Sequence, residues 1–470
     1  MMNRRDALKS LGLAAAAVAL PRRARAAGAS DRPPNFVVIF IDDMGYGDIE
    51  PFGSTLNHTP HLSRMAKEGM TLTSFYVAAP VCTPSRAALM TGCYPKRVGL
   101  DRGSWGVVLL PKDAHGLNSN EVTVAEVLKR AGYATGCFGK WHLGDQPQFL
   151  PTRHGFDTYV GIPYSNDMWP ENPRAKRWKN GVCPLPVLRG EKVVDVVETM
   201  DDQAQLCKRF TDEAVRFIRE NRQRPFFCYL PHAFVHHPRA ARQAFLEKAK
   251  NPDKVTGAQI EEVDSSVGQI LQTLRDLDLA ENTLVLFTSD NGGARGCINK
   301  PLRGGKGTPW EGGMREPTTA WWPGRVPAGT VCDAVATTMD VLPTLAALAG
   351  TKPPADRIID GHDIRPLLFG QPGAASPWDA FLYYQTNRLR AVRSGQWKLF
   401  ADGRLYDLDA DIGETTNVAK QHPDVVARLR AHLDKARADL GDGNTPGANC
   451  RPVGLVENPR YLVPPSDAPG

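Results

Sequence analysis

The chain has 470 residues, of which 42% are hydrophobic, and a formal net charge of +6. This length exceeds the ~250 to 300 residues at which single cores stop growing, so it indicates one large domain plus a smaller one, or two of ordinary size. Six basic residues and one acidic residue lie in the first 26 positions, which leaves the remainder at +1. That balance gives no electrostatic reason to expect a nucleic-acid partner.

The first 26 residues resemble a twin-arginine-type signal peptide. Arg4 and Arg5 precede an apolar run at residues 11–20, and Ala24, Arg25 and Ala26 supply a small-residue cleavage site. Ten apolar residues are too few to span a bilayer, which takes ~20, and no later stretch is long enough. We therefore predict an exported protein, periplasmic or secreted, without a membrane span.

Apolar runs alternate with helical patterns through most of the chain. The run at 36–41 suits a parallel strand buried on both faces, and similar runs recur at 134–138, 226–230 and 284–288. Residues 260–274 carry apolar side chains at helical spacing, which indicates core packing. Strands alternating with helices predict an α/β domain whose mostly parallel sheet is flanked by helices.

A segment rich in Gly, Pro and Ala at residues 360–376 predicts a linker between two domains. We place the larger domain at residues 33–360, and a smaller C-terminal domain with its tail at residues 377–470. Short, closely spaced strand candidates and an amphipathic pattern at residues 425–440 predict that the smaller domain is an antiparallel sheet plus one helix. The tail after residue 441 is rich in Gly, Pro and Asn, and we expect it to be irregular.

Polar side chains follow two of the predicted strands. Asp42 and Asp43 come after the first strand, and Asp290 and Asn291 come after the strand at 284–288. Either pair alone fits a turn or a helix cap at least as well. Brought together, three carboxylates and an amide oxygen form a set that a hard divalent cation such as Ca²⁺ prefers. Zn²⁺ fits less well, because no histidine or thiolate accompanies them.

The run Cys82-Thr83-Pro84-Ser85-Arg86, which continues to Gly92, resembles the sulfatase signature. Without this context such a cysteine is usually a small buried hydrophobe. In the sulfatase family a formylglycine-generating maturation enzyme oxidises the cysteine of Cys-x-Pro-x-Arg, and the hydrated aldehyde is the nucleophile. The resemblance implies that Cys82 becomes formylglycine (3-oxoalanine) and completes the metal site with the two acidic pairs. Arg86 would hold the diol and its neighbouring carboxylates in place.

A second run, Gly139-Lys140-Trp141-His142-Leu143-Gly144, matches the second signature of that family. Lys140 and His142 follow a predicted strand, where side chains two residues apart point the same way. The resemblance implies that Lys140 binds the sulfate group and that His142 orients or deprotonates the diol.

Three further positions resemble parts of the substrate site. His236 and Lys306 correspond to the leaving-group side, where a histidine and a lysine contact the ester oxygen; a shift of one residue would exchange His236 with His237. Ser165, in a loop that resembles the arylsulfatase A branch, would be a polar contact near the nucleophile. A turn serine explains Ser165 equally well.

The resemblance covers residues 34–419 and implies an alkaline-phosphatase-like fold and hydrolysis of sulfate monoesters, with a sulfated carbohydrate or an aryl sulfate as substrate. One hydroxyl of the hydrate would attack sulfur, and the second, deprotonated with help from His142, would expel sulfate. A phosphatase or phosphodiesterase of the same superfamily is the nearest alternative, but those relatives generally have Ser or Thr as nucleophile and add a second metal set. A catalytically inactive glycan-binding paralogue would lack a catalytic position, and we find none missing.

The sequence gives only weak indications of which residues line the entrance to the site and of which cysteines form disulfides. Trp169 and Trp178, interleaved with basic residues at 174–179, could form a rim for an acidic sugar, although such a run is more often a solvated loop. Eight cysteines besides Cys82 could pair in an oxidising compartment. Cys137 and Cys228 lie in apolar runs and are expected to be free thiols.

Overall fold

The structure, a computed structural model, describes residues 32–173 and 182–464; the predicted signal peptide lies outside them. The α-helices are α1 (Pro60–Glu68), α2 (Cys82–Thr91), α3 (Val124–Arg130), α4 (Met200–Glu220), α5 (Gln243–Leu246), α6 (Lys254–Asp276), α7 (Glu311–Met314), α8 (Val341–Leu348), α9 (Arg365–Leu368) and α10 (Pro423–Asp439). The first strands are β1 (Asn35–Ile41), β2 (Met70–Tyr76), β3 (His115–Gly116), β4 (Ala134–Lys140), β5 (Thr158–Ile162), β6 (Leu185–Arg189), β7 (Lys192–Val197), β8 (Phe226–Pro231), β9 (Thr283–Ser289) and β10 (Arg315–Trp321). The later strands are β11 (Thr330–Cys332), β12 (Ala336–Thr337), β13 (Phe381–Gln385), β14 (Arg388–Ser394), β15 (Trp397–Phe400), β16 (Leu405–Asp407), β17 (Gly441–Asp442), β18 (Thr445–Pro446) and β19 (Gly454–Leu455).

A large mixed sheet forms the centre of the fold. Its strands lie in the order β11, β2, β10, β9, β1, β8, β4, β5, β6, β7, and β12 also pairs with β2. The central strands from β9 to β5 are parallel, whereas β10 and β6 join them antiparallel on either side. The predicted α/β class with a mostly parallel sheet is confirmed.

The central strand β1 shows why a continuous apolar run predicts a buried parallel strand. Its odd-numbered residues 37–41 join a core with helices α1, α4 and α6. Its even-numbered residues 36–40 join a second core with α2, α3 and α8 on the other face. Because helices cover both faces, neither face of the strand needs polar side chains.

The parallel strands end at one edge of the sheet, and the predicted site residues follow those ends. β1 ends at Ile41, β4 at Lys140 and β9 at Ser289. The edge beyond the carboxyl ends of parallel strands is where open α/β sheets bind ligands. The sheet order therefore brings residues from distant parts of the chain to one place.

The C-terminal part is a four-stranded antiparallel sheet, β13 to β16, packed with α10, as predicted. Leu429 and Leu433 of α10 share an apolar core with this sheet and with Tyr76, the last residue of β2. The expected linker contains the short helix α9. The tail is not wholly irregular, because β17 pairs with β18 and β19 pairs with β3.

Two further expectations concern membranes and thiols. No helix in the described parts of the chain is long and apolar enough to cross a bilayer. All nine cysteines are free thiols, so none of the pairs that an oxidising compartment would allow is present. Cys137 and Cys228 are buried in β4 and β8, as expected.

Candidate active site

Two acidic pairs, Asp42 with Asp43 and Asp290 with Asn291, lie together at the ends of β1 and β9. These two strands run parallel and are hydrogen-bonded up to their last residues. The Asn291 amide donates to Asp43 Oδ1 at 2.8 Å, and the Asp43 backbone N–H lies 3.3 Å from Asp290 Oδ1. Asp42, Asp43, Asp290 and Asn291 are all buried. Within the described residues, Asp42 Oδ1 and Asn291 Oδ1 accept no hydrogen bond. Burying an oxygen without a hydrogen-bond partner costs free energy. Binding a cation through these two oxygens would offset that cost.

Arg86 of α2 joins both acidic pairs to β4. Its Nη2 lies 2.7 Å from Asp290 Oδ2 and 3.1 Å from Asp42 Oδ2, and its Nε lies 3.1 Å from Asp290 Oδ2. Its Nη1 donates to the Lys140 carbonyl oxygen at 2.7 Å. Because the guanidinium is rigid and fully buried, it fixes the spacing between the ends of three strands.

Lys140, the last residue of β4, donates from Nζ to Asp42 Oδ2 at 2.5 Å and to Ser165 Oγ at 3.0 Å. The structure thus places Ser165 beside the predicted sulfate-binding lysine.

His142 is held by a backbone contact that the sequence did not reveal. Its Nε2 donates to the Leu109 carbonyl oxygen at 2.9 Å, and its buried Nδ1 has no partner among the described residues. Burial, reinforced by the charge of Lys140, holds the pKa of His142 well below its ordinary value. The imidazole is therefore neutral, and its Nδ1 carries a lone pair that can accept a hydrogen bond.

His236 and Lys306 both approach Asp43. Lys306 Nζ lies 2.6 Å from Asp43 Oδ1, and His236 Nε2 lies 3.7 Å from Asp43 Oδ2. Single ligand atoms of Asp42, Asp43 and His236 all lie within 4.8 Å of one another. The sequence argument placed no histidine with the acidic pairs, and the loop after β8 supplies one. Burial alone would lower the pKa of Lys306, but Asp43 and other nearby acidic groups raise it, so this side chain stays cationic.

Cys82 is the first residue of α2 and is buried at this same edge. Burial raises the pKa of its thiol to about 11, and Lys140 and Lys306 only partly oppose this. Asp42 and Asp290 add to the rise, so the thiol lies within the electrostatic influence of all four side chains. The thiolate is the nucleophilic form of cysteine, and it is scarce at neutral pH in this environment.

The two carboxylates that share Arg86 differ in their surroundings. Burial alone would raise the pKa of Asp42, but Lys140, His236 and Arg86 hold it well below its ordinary value. Burial and the neighbouring charge of Asp42 raise the pKa of Asp290 to about 7, against the effect of Arg86. A bound divalent cation would favour the ionised form of both carboxylates.

The proposed aromatic rim is wrong for Trp169. This side chain is 1% exposed, belongs to the core, and donates its indole N–H to the Asn166 carbonyl oxygen at 3.0 Å. It therefore offers no face for a sugar to stack on. Trp178 and the basic residues at 174–179 lie outside the described residues.

The fold, together with the site at the carboxyl ends of its parallel strands, defines an α/β enzyme of the alkaline-phosphatase-like class. Buried acidic side chains and fixed cations surround Cys82 in this site. Residues 34–351 match the Sulfatase family, and residues 306–439 match the family described as N-sulphoglucosamine sulphohydrolase, C-terminal. The chain belongs to the sulfatase family.

Two relatives and one solved structure show the extent of this similarity. Human (Homo sapiens) arylsulfatase A is 38% identical over 461 residues, which cover 87% of this chain and 89% of that protein. N-acetylgalactosamine-6-sulfatase of Canis lupus familiaris is 40% identical over 395 residues, which cover 79% and 72%. The crystal structure of Ps i-CgsB in complex with k-i-k-neocarrahexaose has a TM-score of 0.76 at 31% identity and covers 86% of this chain and 92% of its own. The protein is thus an enzyme of the sulfatase type.

Proposed function

We propose that this protein hydrolyses sulfate monoesters through a formylglycine residue made from Cys82. The observation that carries the proposal is the environment of this side chain, which lies among fixed charges but has a thiol pKa of about 11. Such a thiol is a poor nucleophile, whereas a hydrated aldehyde at the same position carries two hydroxyl groups. The proposal requires a formylglycine-generating maturation enzyme as a partner.

We further propose that Asp42, Asp43, Asp290 and Asn291 hold a Ca²⁺ ion together with the modified Cys82. The donors are all oxygens, which suits a hard cation, and two of those oxygens are buried without a partner in the described residues. When bound, the ion would supply positive charge that stabilises negative charge on the sulfate oxygens.

The side chains of this chain would divide the remaining work. Negative charge moves onto the bridging and peripheral oxygens of a sulfate ester in the transition state, so fixed cations aimed there lower the barrier. Lys140 would bind the sulfate group beside Ser165, and Lys306 with His236 would act on the departing oxygen. His142 would accept a proton at Nδ1, because its Nε2–H is already donated to a carbonyl. Arg86 would hold the carboxylates of Asp42 and Asp290 at a fixed spacing.

The substrate that we propose is a sulfated carbohydrate or an aryl sulfate. One relative is an N-acetylgalactosamine-6-sulfatase, and a neighbour in structure binds a neocarrahexaose. Within this proposal, residues 33–360 form the catalytic domain and residues 377–470 the smaller domain. Residues 1–26 direct export to the periplasm or the exterior.

The test is to produce the protein with a formylglycine-generating enzyme and to measure the modified fraction of the peptide that contains Cys82 by mass spectrometry. Inorganic sulfate released from aryl sulfates and from a panel of sulfated glycans should scale with that fraction and with added Ca²⁺. Cys82→Ala should release none. A fully modified, Ca²⁺-loaded protein that releases no sulfate, or that hydrolyses aryl phosphates faster than aryl sulfates, would overturn the proposal.

A further inference from the structure

The segment at residues 302–311, here called the Lys306 loop, carries a site cation but does not follow the end of a strand. Its backbone is tied to two other parts of the site. The Lys306 N–H donates to the Gly293 carbonyl oxygen at 3.2 Å, and the Gly307 N–H donates to the Pro80 carbonyl oxygen at 2.8 Å. These hydrogen bonds join the loop to the segments that contain Asn291 and Cys82.

The opposite side of the Lys306 loop is held by the C-terminal sheet. Gln385 of β13 donates from Nε2 to the Gly307 carbonyl oxygen at 2.7 Å, directly after Lys306. Lys398 of β15 donates from Nζ to the Pro309 carbonyl oxygen at 2.9 Å. Glu414, in the segment after β16, contacts both ends of the loop: Glu311 N–H donates to Glu414 Oε2 at 2.8 Å, and Arg303 Nη1 donates to the Glu414 carbonyl oxygen at 2.7 Å.

A buried ionic network anchors these contacts. Lys398 Nζ lies 2.9 Å from Glu311 Oε1 and 2.8 Å from Glu414 Oε1, and all three side chains are buried. Glu311 also accepts from the hydroxyls of Tyr383 at 2.7 Å and Tyr76 at 2.5 Å. A buried ion pair adds little net stability but admits few geometries. Its effect here is to fix one arrangement of the C-terminal sheet against the loop.

The Lys306 loop needs hydrogen bonds from other parts of the protein, because its glycines allow several backbone conformations. Gly304 and Gly307 flank the lysine with φ of +78° and +80°, a region open to glycine. The lysine side chain adds a flexible four-carbon stem. Without partners outside the loop, neither the backbone nor the stem would hold Nζ at 2.6 Å from Asp43 Oδ1.

We propose that Gln385, Lys398 and Glu414 are positioning residues for the reaction, through which the C-terminal sheet sets the place of Lys306 Nζ at the leaving-group side of the site. The inference rests on the proposed role of Lys306. It gives the C-terminal sheet a part in catalysis: this sheet determines how well the enzyme expels a poor leaving group.

Gln385→Met tests this inference with a series of aryl sulfates whose phenols differ in pKa. A displaced Lys306 weakens stabilisation of the departing oxygen, so the loss of kcat/KM should grow with the pKa of the phenol. Displacements of about 1 Å can cost ~100-fold; we expect about tenfold for the poorest leaving group and less than about twofold for the best. Gln385→Asn, which keeps the amide but shortens its reach, should show the same trend.

Two matched variants separate positioning from general damage. Gln396→Met removes an amide in the turn between β14 and β15 that donates to Asp407 Oδ2 at 3.1 Å instead of contacting the loop, and it should leave the series unchanged. In a Lys306→Met background, Gln385→Met should cause no further loss. Uniform loss across all phenols, no loss at all, or full additivity with Lys306→Met would overturn the inference. Failure of the proposed function would show separately, as absence of sulfate release by the modified wild-type protein.

Discussion

Replacing Arg86 by methionine is the sharpest perturbation of the proposed metal centre. Methionine is unbranched and apolar, so the change removes the guanidinium and replaces only the aliphatic part of the side chain. It leaves Asp290 Oδ2 without its two hydrogen bonds from Arg86 and leaves the Lys140 carbonyl oxygen without its donor. The carboxylates of Asp42 and Asp290 then face each other with less opposing charge.

The size of the effect follows from burial. Removing one partner of a fully buried ion pair costs about 3–5 kcal/mol. With an unfolding entropy of ~2.1 cal/mol/K per residue over roughly 430 residues, that loss lowers Tm by ~3–6 °C in the absence of metal. The same change removes a positive charge that repels Ca²⁺. Two unit charges at close range interact by about 4 kcal/mol at an effective dielectric constant of about 20, and a divalent ion interacts more strongly, so the variant should gain more stability from Ca²⁺ than the wild type.

Thermal unfolding in a chelator and across a Ca²⁺ titration measures both effects. Arg97→Met is the matched control, because Arg97 is also buried and lies 2.7 Å from carboxylates of both Asp360 and Asp439, away from the acidic pairs. It should lower Tm by a smaller amount, since Asp439 is one-third exposed, and by the same amount with or without Ca²⁺. Equal Ca²⁺-induced rises in Tm for the wild type and Arg86→Met would refute the assignment of the metal site.

Three further outcomes are expected. Cys82→Ser should trap a sulfated enzyme or be inert, because serine can attack sulfur but has no second hydroxyl to expel sulfate; steady turnover, with no adduct in intact-protein mass spectra, would contradict this. Burial lowers the pKa of His154 to about 4, so between about pH 6.5 and 4 the unfolded chain binds a proton that the folded protein does not, and stability falls by about 3 kcal/mol as the pH drops. His154→Phe should remove this contribution, so the fall in stability between about pH 6.5 and 4 should be about 3 kcal/mol smaller than in the wild type when urea unfolding is measured at stepped pH. Gly161→Ala should lower kcat/KM by ~100-fold, because its Cβ would lie 1.9 Å from a carbonyl oxygen of β4 and would push β5 away from the strand that ends in Lys140; Gly190→Ala, whose Cβ meets no atom within 4 Å, is the control.

The central sheet could be predicted from the sequence because its strands are buried on both faces. The apolar runs at 36–41, 134–138, 226–230 and 284–288 fall within β1, β4, β8 and β9 and miss at most two residues at either end. Composition alone marks such strands. The sequence also predicts that Asp42–Asp43 and Asp290–Asn291 lie close together. Each pair directly follows a parallel strand, and neighbouring parallel strands end at the same edge of the sheet.

Contacts to backbone carbonyls could not be predicted in the same way. His142 donates to the carbonyl of Leu109, 33 residues earlier, and Gln385 donates to that of Gly307, 78 residues earlier. Every residue has a carbonyl, so no side-chain pattern distinguishes the one that tertiary packing brings close. The error at Trp169 has a related cause: charged neighbours in the sequence suggested a surface, but a carbonyl three residues before it satisfies the indole N–H and allows burial.

The places of the site residues in the fold explain why the proposed mechanism gives the C-terminal sheet a role. Asp42, Lys140 and Asp290 lie at or directly after strand ends, so the hydrogen-bonded register of the central sheet positions them. Lys306 has no such support, because it lies seventeen residues beyond the end of β9 at Ser289, in a loop whose glycines allow several backbone conformations. If Lys306 stabilises the departing oxygen as proposed, it must be held rigidly, because the negative charge that it meets develops only in the transition state. In the proposed arrangement the C-terminal sheet supplies this placement through hydrogen bonds to the backbone of the loop. Substitutions in that sheet, which do not touch any reacting group, should therefore change how activity depends on the leaving group.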